Sequence, residues 1–205
     1  MSLGVPTADV AASYRARAAR RRAGLLVAAA ALALAVILDA ATGPAFLSPL
    51  AVARSVLRLT QDRAVDAIVW TIRLPVAALA ALVGATLGLT GAIMQTILAN
   101  PLASSYTLGV SAGAGFGASL VIVIGAFLPI PEIYAAPAAA LLFAALACAG
   151  VYAVGAARGA TPELLTLAGV AMLFLFQALI SLLQYVASPE ALQQIVFWLF
   201  GSLQR

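Results

Sequence analysis

The feature that most constrains the fold is a long stretch without charge, because residues 74 to 131 contain no acidic or basic side chain. As one α-helix, rising about 1.5 Å per residue, this stretch would be nearly three times as long as the bilayer's hydrocarbon core, which is about 30 Å thick. Asn100-Pro101 divides it, since proline disfavours helical backbone at the residue before it. The stretch therefore predicts two membrane spans, near Leu74–Leu98 and Thr107–Leu128.

The composition indicates the same environment over the whole chain. Of the 205 residues, 64% are hydrophobic and 9% are charged, whereas about a quarter of the residues in a soluble domain are charged. In lipid every backbone polar group needs an internal partner, which a helix supplies. We therefore expect an all-α, polytopic membrane helix bundle, with further spans near Ala23–Ala41, Ile133–Ala156 and Leu164–Ala187.

Two absences exclude several classes of function. The chain contains no histidine, and all eleven of its basic residues are arginine. A phosphate-binding P-loop needs a lysine, and a metalloprotease helix, a haem ligand of the histidine type or a Ser-His-Asp triad needs histidine. If the protein does energy-driven work, the energy must come from a partner chain.

Two predicted helices begin with the same three-residue pattern. Thr161-Pro162-Glu163 and Ser188-Pro189-Glu190 each place a hydroxyl at the helix cap, a proline in the first turn and an acid near the positive helix end. The second pattern opens Ala191–Leu203, which is too short to cross a bilayer. This segment is predicted to be an interfacial helix or a truncated sixth span.

The basic cluster Arg15–Arg22 precedes the first span, which favours a cytoplasmic N-terminus by the positive-inside rule and disfavours nucleic-acid binding. A cleaved signal peptide is the alternative. The turns at Asn100-Pro101 and Arg158 are then cytoplasmic. The predicted organisation is a cytoplasmic N-terminus (1–22), a first span (23–41), an external loop (42–73), a four-helix transmembrane core (74–187) and a short helix or truncated span (188–205).

Within the external loop, residues 49–63 show the pattern of a short amphipathic helix. Val52, Val56 and Leu59 share one face at spacings of four and three, and Arg54 and Arg58 lie on another. This pattern predicts a helix on the outer membrane surface. The alternative is a charged face that is simply solvated.

Glycines recur every four residues in two neighbouring spans. Gly84 and Gly88 form one row, continued by Ala92, and Gly109, Gly113 and Gly117 form the next. Such rows allow helices to pack closely in lipid. The dense segment Gly109–Gly115, including Gly109, Ser111 and Gly113, has a second interpretation as irregular backbone along a translocation path, because irregular backbone at membrane depth is tolerated only inside protein or along a cavity.

A polar row runs along the fifth predicted span. Gln177, Ser181 and Gln184 fall on one side at spacings of four and three. Polar side chains at this depth must face protein or water, so the row predicts either hydrogen bonds between helices or a water-lined pathway. No charged residue lies in the middle of spans two to five, which disfavours a proton relay or an ion-coupled carrier.

Taken in order, these motifs resemble a known family over Arg73 to Leu203. They are similar to the permease subunits of ABC importers for iron-siderophores, haem and cobalamin, the FecCD type. The segments that carry the resemblance are Arg73-Leu74-Pro75, Gly84-Ala85, Gly91–Gln95, Asn100–Ala103, Leu108–Ala114, Leu165–Ala171 and Phe197–Leu203.

The resemblance implies the N-terminal portion of a permease with about ten spans per subunit, built from two inverted halves, in the bacterial inner membrane. It implies a second permease subunit, two cytoplasmic ATPases and an extracytoplasmic binding protein, with no chemistry and no cofactor in the permease itself. Siderophore is the substrate that the family most often serves. In the family, the arginine at Arg73 faces outside and pairs with acidic residues of the binding protein. This sequence has Val76 where a second arginine is common.

Several alternatives stay open. The family's pattern continues past Leu203, so the chain is expected to be a fragment, a frameshift product or half of a split permease, which would be inactive alone. A non-transport membrane scaffold is the rival function. A membrane-embedded enzyme is disfavoured by the missing histidine and lysine.

Overall fold

The computed structural model describes residues 7–41, 47–60, 62–125 and 129–203, and the regular structure in these ranges is helical. Four helical segments are long and apolar enough to cross a membrane: 17–39, 63–97, 132–158 and 162–186. The elements are α1 (Thr7–Ala41), α2 (Pro49–Val56), α3 (Arg63–Ile68), a π-helical segment (Val69–Arg73), α4 (Leu74–Ile97), α5 (Val110–Ile124), α6 (Glu132–Arg158), α7 (Pro162–Val186) and α8 (Pro189–Phe200). They belong to two compact units, residues 1–82 and 83–205.

The span predicted near Leu74–Leu98 is part of a longer helical run in the structure. Helix begins at Arg63 and continues through the π-helical segment into α4, so that Arg73 lies inside a run that ends at Ile97. The N–H of Leu74 donates to the carbonyl of Val69, five residues back. Pro75 explains the wider turn, because a proline ring clashes with the carbonyl four residues earlier and π-turns relieve such conflicts.

The first unit has a small apolar core between α2 and the start of the long helix. Val52 and Val69 are fully buried. The half-buried residues that pack against this pair are Leu47, Val65 and Leu74. The predicted amphipathic helix is thus present, but it covers residues 49–56 rather than 49–63, and Val52 packs against protein instead of lipid.

Polar contacts hold the end of α2 against the same helix. The Ser55 hydroxyl donates to the Asp66 carboxylate, and the Trp70 indole N–H donates to the Ser55 carbonyl at 3.2 Å. The Arg58 guanidinium lies 4.0 Å from the centre of the Trp70 ring. Arg58 has a left-handed backbone (φ 58°), which ends the helical stretch after Val56.

In the second unit, α5 is the central helix and contacts α6, α7 and α8. Seven of its residues are buried. It begins at Val110 rather than near the predicted Thr107, because Gly109 precedes it with a left-handed backbone (φ 74°). With 15 described residues it is shorter than the helices that are long enough to cross a membrane, and residues 126–128 of the predicted span lie outside the described ranges.

An aromatic cluster lies where three helices of the second unit, α5, α6 and α7, contact one another. The ring centres of Phe116 on α5 and Phe143 on α6 are 4.9 Å apart, and Phe176 on α7 lies 5.8 Å from Phe116. The Phe116–Phe143 pair is edge-on, a geometry that adds about 0.5–1.5 kcal/mol beyond burial. The cluster fixes where α5, α6 and α7 meet.

The predicted breaks and caps are confirmed. Residues 98–109 are turns and irregular backbone, and the Asn100 side chain accepts from the N–H of Leu102 at 2.9 Å. The hydroxyls of Thr161 and Ser188 accept from the N–H groups of Leu164 and Ala191, at 3.3 and 3.2 Å. Proline at the first position and a side-chain cap therefore start α7 and α8 where the sequence indicates.

Candidate translocation path and docking residues

The glycine row of α5 is filled by neighbouring helices. A β-carbon on Gly113 would lie 2.7 Å from the carbonyl oxygen of Phe143, and one on Gly117 would collide with the carbonyl of Ala139. Both obstacles are backbone atoms of α6. These glycines therefore let α5 and α6 approach at backbone distance, which is the packing role that their spacing predicts.

Gly109 combines a special backbone with close packing. Its φ of 74° belongs to the left-handed region, and a β-carbon there would lie 2.6 Å from the backbone nitrogen of Leu173. Across the same contact, a β-carbon on Gly169 would lie 2.9 Å from the α-carbon of Leu108. The turn before α5 is thus held against α7. Gly109 and Gly113 are buried and Ser111 is exposed, and their role in a path stays a prediction.

The glycine row of α4 has a different environment. Among the described residues, nothing lies within 4 Å of a β-carbon built on Gly84, Gly88 or Gly91. The surrounding positions 82–90 are all exposed. Thr86 and Thr90 turn their hydroxyls back to carbonyls of their own helix. The row of α4 is therefore an open face in this structure.

The polar row of α7 lies beside the helix's buried face. Phe176 and Ile180 point into the bundle, whereas Gln177 and Ser181 are exposed and Gln184 is half-buried. The Ser181 hydroxyl donates to the Gln177 carbonyl at 3.0 Å. Within the described structure the row is available to water or to another chain, about a quarter-turn of helix from the packed face.

A groove on the opposite flank of α7 was not predicted from the sequence. It has a volume of about 650 Å³ and lies between α6 and α7. Arg158, in the last turn of α6, is its one charged lining residue. The apolar lining consists of Ala153, Val154, Ala157, Leu167, Ala168, Ala171, Met172 and Leu175. No sequence pattern announces it, because the two flanks belong to separate helices.

Arg73 is half-buried in the π-helical segment, and its Nε atom is buried without a hydrogen-bond partner in the described structure. A guanidinium with an unused donor favours an anionic partner. Val76, one residue beyond Pro75, is half-buried. The sequence analysis selected Arg73. It did not predict that Ser55 contacts Asp66 and Trp70 in the same unit.

No group of three or more metal-ligating side chains occurs within ranges 7–41, 47–60, 62–125 and 129–203. What the geometry offers instead is a tightly packed helix bundle with one polar helix flank. Such an arrangement can line a passage or present a contact surface.

Comparison with known proteins gives a consistent result. A family described as the FecCD transport family matches residues 31–205. The Vitamin B12 import system permease protein BtuC of Vibrio parahaemolyticus is 32% identical over 186 residues, covering 90% of this chain and 53% of that protein. The Fe(3+)-citrate import system permease protein YfmE of Bacillus subtilis is 32% identical over 179 residues, covering 87% and 52%.

A third relative, a Bacillus subtilis protein provisionally named as the siderophore transport system permease YfiZ, is 45% identical over 140 residues, covering 67% of this chain and 40% of that protein. A solved structure, described as an inward-facing ABC transporter provisionally assigned to the metal-chelate type, matches with a TM-score of 0.69 and 31% identity. That match covers 84% of this chain and 51% of the solved one.

The packed apolar helices and the family match define a polytopic membrane protein. The chain belongs to the FecCD transport family. It spans about half the length, or less, of the relatives that it matches. The resemblance and the fold class expected from the sequence are thereby confirmed, as an N-terminal portion of a permease.

Proposed function

We propose that this chain is part of the transmembrane permease of an ATP-driven importer for metal chelates, with a ferric siderophore as the substrate class. The observation that carries the proposal is the family match over residues 31–205, which includes the whole bundle α5–α8. Relatives named for siderophore, ferric citrate and vitamin B12 transport support a chelate of this general kind.

The exposed polar row of α7 is the proposed wall of the path. Gln177 and Gln184 present amide groups on a helix that is otherwise apolar. A bulky, polar chelate needs hydrogen-bonding groups that replace part of its hydration, and uncharged amides do this without trapping the ligand. In this account α8 borders the outer end of the path, and Leu192–Leu203 contributes an external gate.

Arg73 is the proposed docking residue for an extracytoplasmic binding protein. Its side chain is half-buried, and the positive charge of its guanidinium supports a carboxylate partner. A second permease subunit and a pair of cytoplasmic ATPases complete the proposed assembly, and the N-terminus and the turns at Asn100-Pro101 and Arg158 face the cytoplasm. Charge pairing at Arg73 would chiefly guide encounter and register.

Uptake of labelled ferric siderophore tests the proposed function. The chain is produced in bacteria that lack their own metal-chelate permeases, together with the remaining portion of the permease, the ATPase and the binding protein from its own organism. We expect ATP-dependent uptake that falls when Gln177 and Gln184 are both changed to Leu, with Gln95→Leu at an exposed position of α4 as the control. Uptake of a different solute class, with no chelate transport, would refute the proposal.

Docking is tested by capture of the binding protein on purified permease in detergent. Arg73→Gln is expected to weaken capture about 5- to 30-fold, as loss of one charged contact costs about 1–2 kcal/mol. Arg63→Gln, at an exposed arginine ten residues earlier, is the control. Equal capture by the two variants would remove Arg73 from the docking surface.

A further inference from the structure

Helix α8 is attached to the rest of its unit mainly through α5, the described helix that it contacts extensively. Ile195 is fully buried, and Trp198 packs against the cluster that contains Ala118 and Val121. Phe200, near the end of α8, is 79% exposed. One face of a 12-residue helix thus fixes its position, so the contacts on that face decide where α8 lies.

Gly115 provides one of the contacts between α5 and α8. A β-carbon built on it would lie 2.8 Å from Cδ2 of Leu199 on α8 and 3.4 Å from Cδ1 of Ile180 on α7. The glycines two residues before and after it, Gly113 and Gly117, face the backbone of α6 instead. The missing side chain at Gly115 therefore leaves room for Cδ2 of Leu199, a residue that is otherwise 42% exposed.

We propose that Gly115 is a positioning residue that seats Leu199 and thereby sets the placement of α8 against the bundle. The obstacles at this position are the ends of flexible side chains, whereas those at Gly113 and Gly117 are backbone oxygens. Bulk at Gly115 can therefore displace α8 without separating α5 from α6. A consequence for transport follows only if α8 borders the path, and this last step rests on the proposed function.

Thiol labelling tests whether Gly115 sets the position of α8, and it does not require a transport assay. The single native cysteine, Cys148, is exposed and is first changed to Ala. Ile195→Cys then reports the burial of α8. On this background, Gly115→Val is expected to raise the maleimide labelling rate at least about tenfold, an effect within the range measured for contacting residues. Gly125→Val is the control, since nothing described lies within 4 Å of its β-carbon position.

Rescue distinguishes a seat from general loosening. Adding Leu199→Ala to Gly115→Val removes the colliding side chain and is expected to return labelling to within about threefold of the parent. Gly115→Ala, tested in parallel, gives the same pattern with a smaller rise and keeps the test decisive if the valine variant does not fold. Unchanged labelling in Gly115→Ala, or a further rise on adding Leu199→Ala, overturns the proposal.

Uptake of the labelled chelate then tests the link to the path. We expect Gly115→Val to lower the uptake rate about tenfold, the same factor as the labelling change, with unchanged capture of the binding protein. Leu199→Ala should restore the rate. Unchanged uptake despite reversible labelling overturns the step from α8 to the path. If the parent chain transports no chelate when the remaining permease portion, the ATPase and the binding protein are present, the proposed function fails, while the labelling result still decides whether Gly115 positions Leu199.

Discussion

Helices α4 and α5 carry glycine rows with the same spacing of four, yet the structure treats them oppositely. At Gly113 and Gly117 of α5 the space of the missing side chain is filled by backbone of α6. At Gly84 and Gly88 of α4 no described atom lies within 4 Å of that space. The same sequence motif is a completed helix interface in one helix and an open face in the other.

The comparison shows what a small-residue row does and does not encode. A glycine row with this spacing indicates that another helix can pack closely against that side. Which helix makes the approach depends on the partner's side chains. Here Phe143 on α6 supplies part of that partner surface, with its ring edge-on to Phe116 of α5.

The largest loss of stability is expected in the aromatic cluster beside the glycine row of α5. Phe176→Ala should lower the free energy of unfolding by about 3–5 kcal/mol, because it empties a buried site between three helices. Phe174→Ala, two residues away and 67% exposed, is the matched control. Thermal unfolding in detergent, followed by circular dichroism, measures both. Similar losses in the two variants would contradict the described packing of α7.

A smaller effect separates backbone strain from close packing. Gly109→Ala suffers both a left-handed φ and a collision with the backbone of Leu173. Gly159→Ala also has a positive φ of 83°, at a different ψ of 120°, but nothing described lies within 4 Å of the added β-carbon. Strain alone costs about 1–2 kcal/mol, and overpacking adds typically 1–3 kcal/mol.

Unfolding temperatures of these two variants should therefore fall in the order Gly109→Ala below Gly159→Ala. Each kcal/mol shifts the midpoint by about 2–4 °C in a chain of this size. The reverse order would mean that the turn before α5 is not held against α7 as described.

The smallest effect is expected in the open row, and its sign is reversed. Gly88→Ala places a methyl group in unoccupied space and gains up to about 1 kcal/mol of helix propensity. The unfolding midpoint should stay the same or rise slightly. A clear fall in the midpoint of the purified chain would show that the row of α4 is already packed.

Much of the fold was predictable because its signals are local. The prolines and hydroxyls at Thr161 and Ser188 act within one turn, and Asn100-Pro101 stops a helix by its own backbone chemistry. The predicted start near Leu74 missed the helix that precedes it, and the reason is physical. A π-turn accommodates Pro75 within the helix. Whether the helix continues through such a turn depends on the packing around Val69, which involves residues distant in sequence.

The candidate site was predictable to a similar extent. Helical periodicity alone places Gln177, Ser181 and Gln184 on one flank, and α7 has them there. The contact between Gly115 and Leu199 could not be predicted from the sequence, because the two residues lie on helices separated by α6 and α7 in the chain. Contacts between elements that are distant in sequence become visible only in the folded structure.

The most direct test of the account compares the two glycine rows in one experiment. The double variants Gly113→Ala/Gly117→Ala and Gly84→Ala/Gly88→Ala are purified in the same detergent, and their thermal unfolding midpoints are measured against the parent. Overpacking at two backbone contacts is expected to cost about 2–6 kcal/mol in the α5 variant, a fall of several degrees or failure to fold, whereas the α4 variant should match or exceed the parent. Equal midpoints for the two variants, or the larger loss in α4, would contradict the assignment of a filled and an open row.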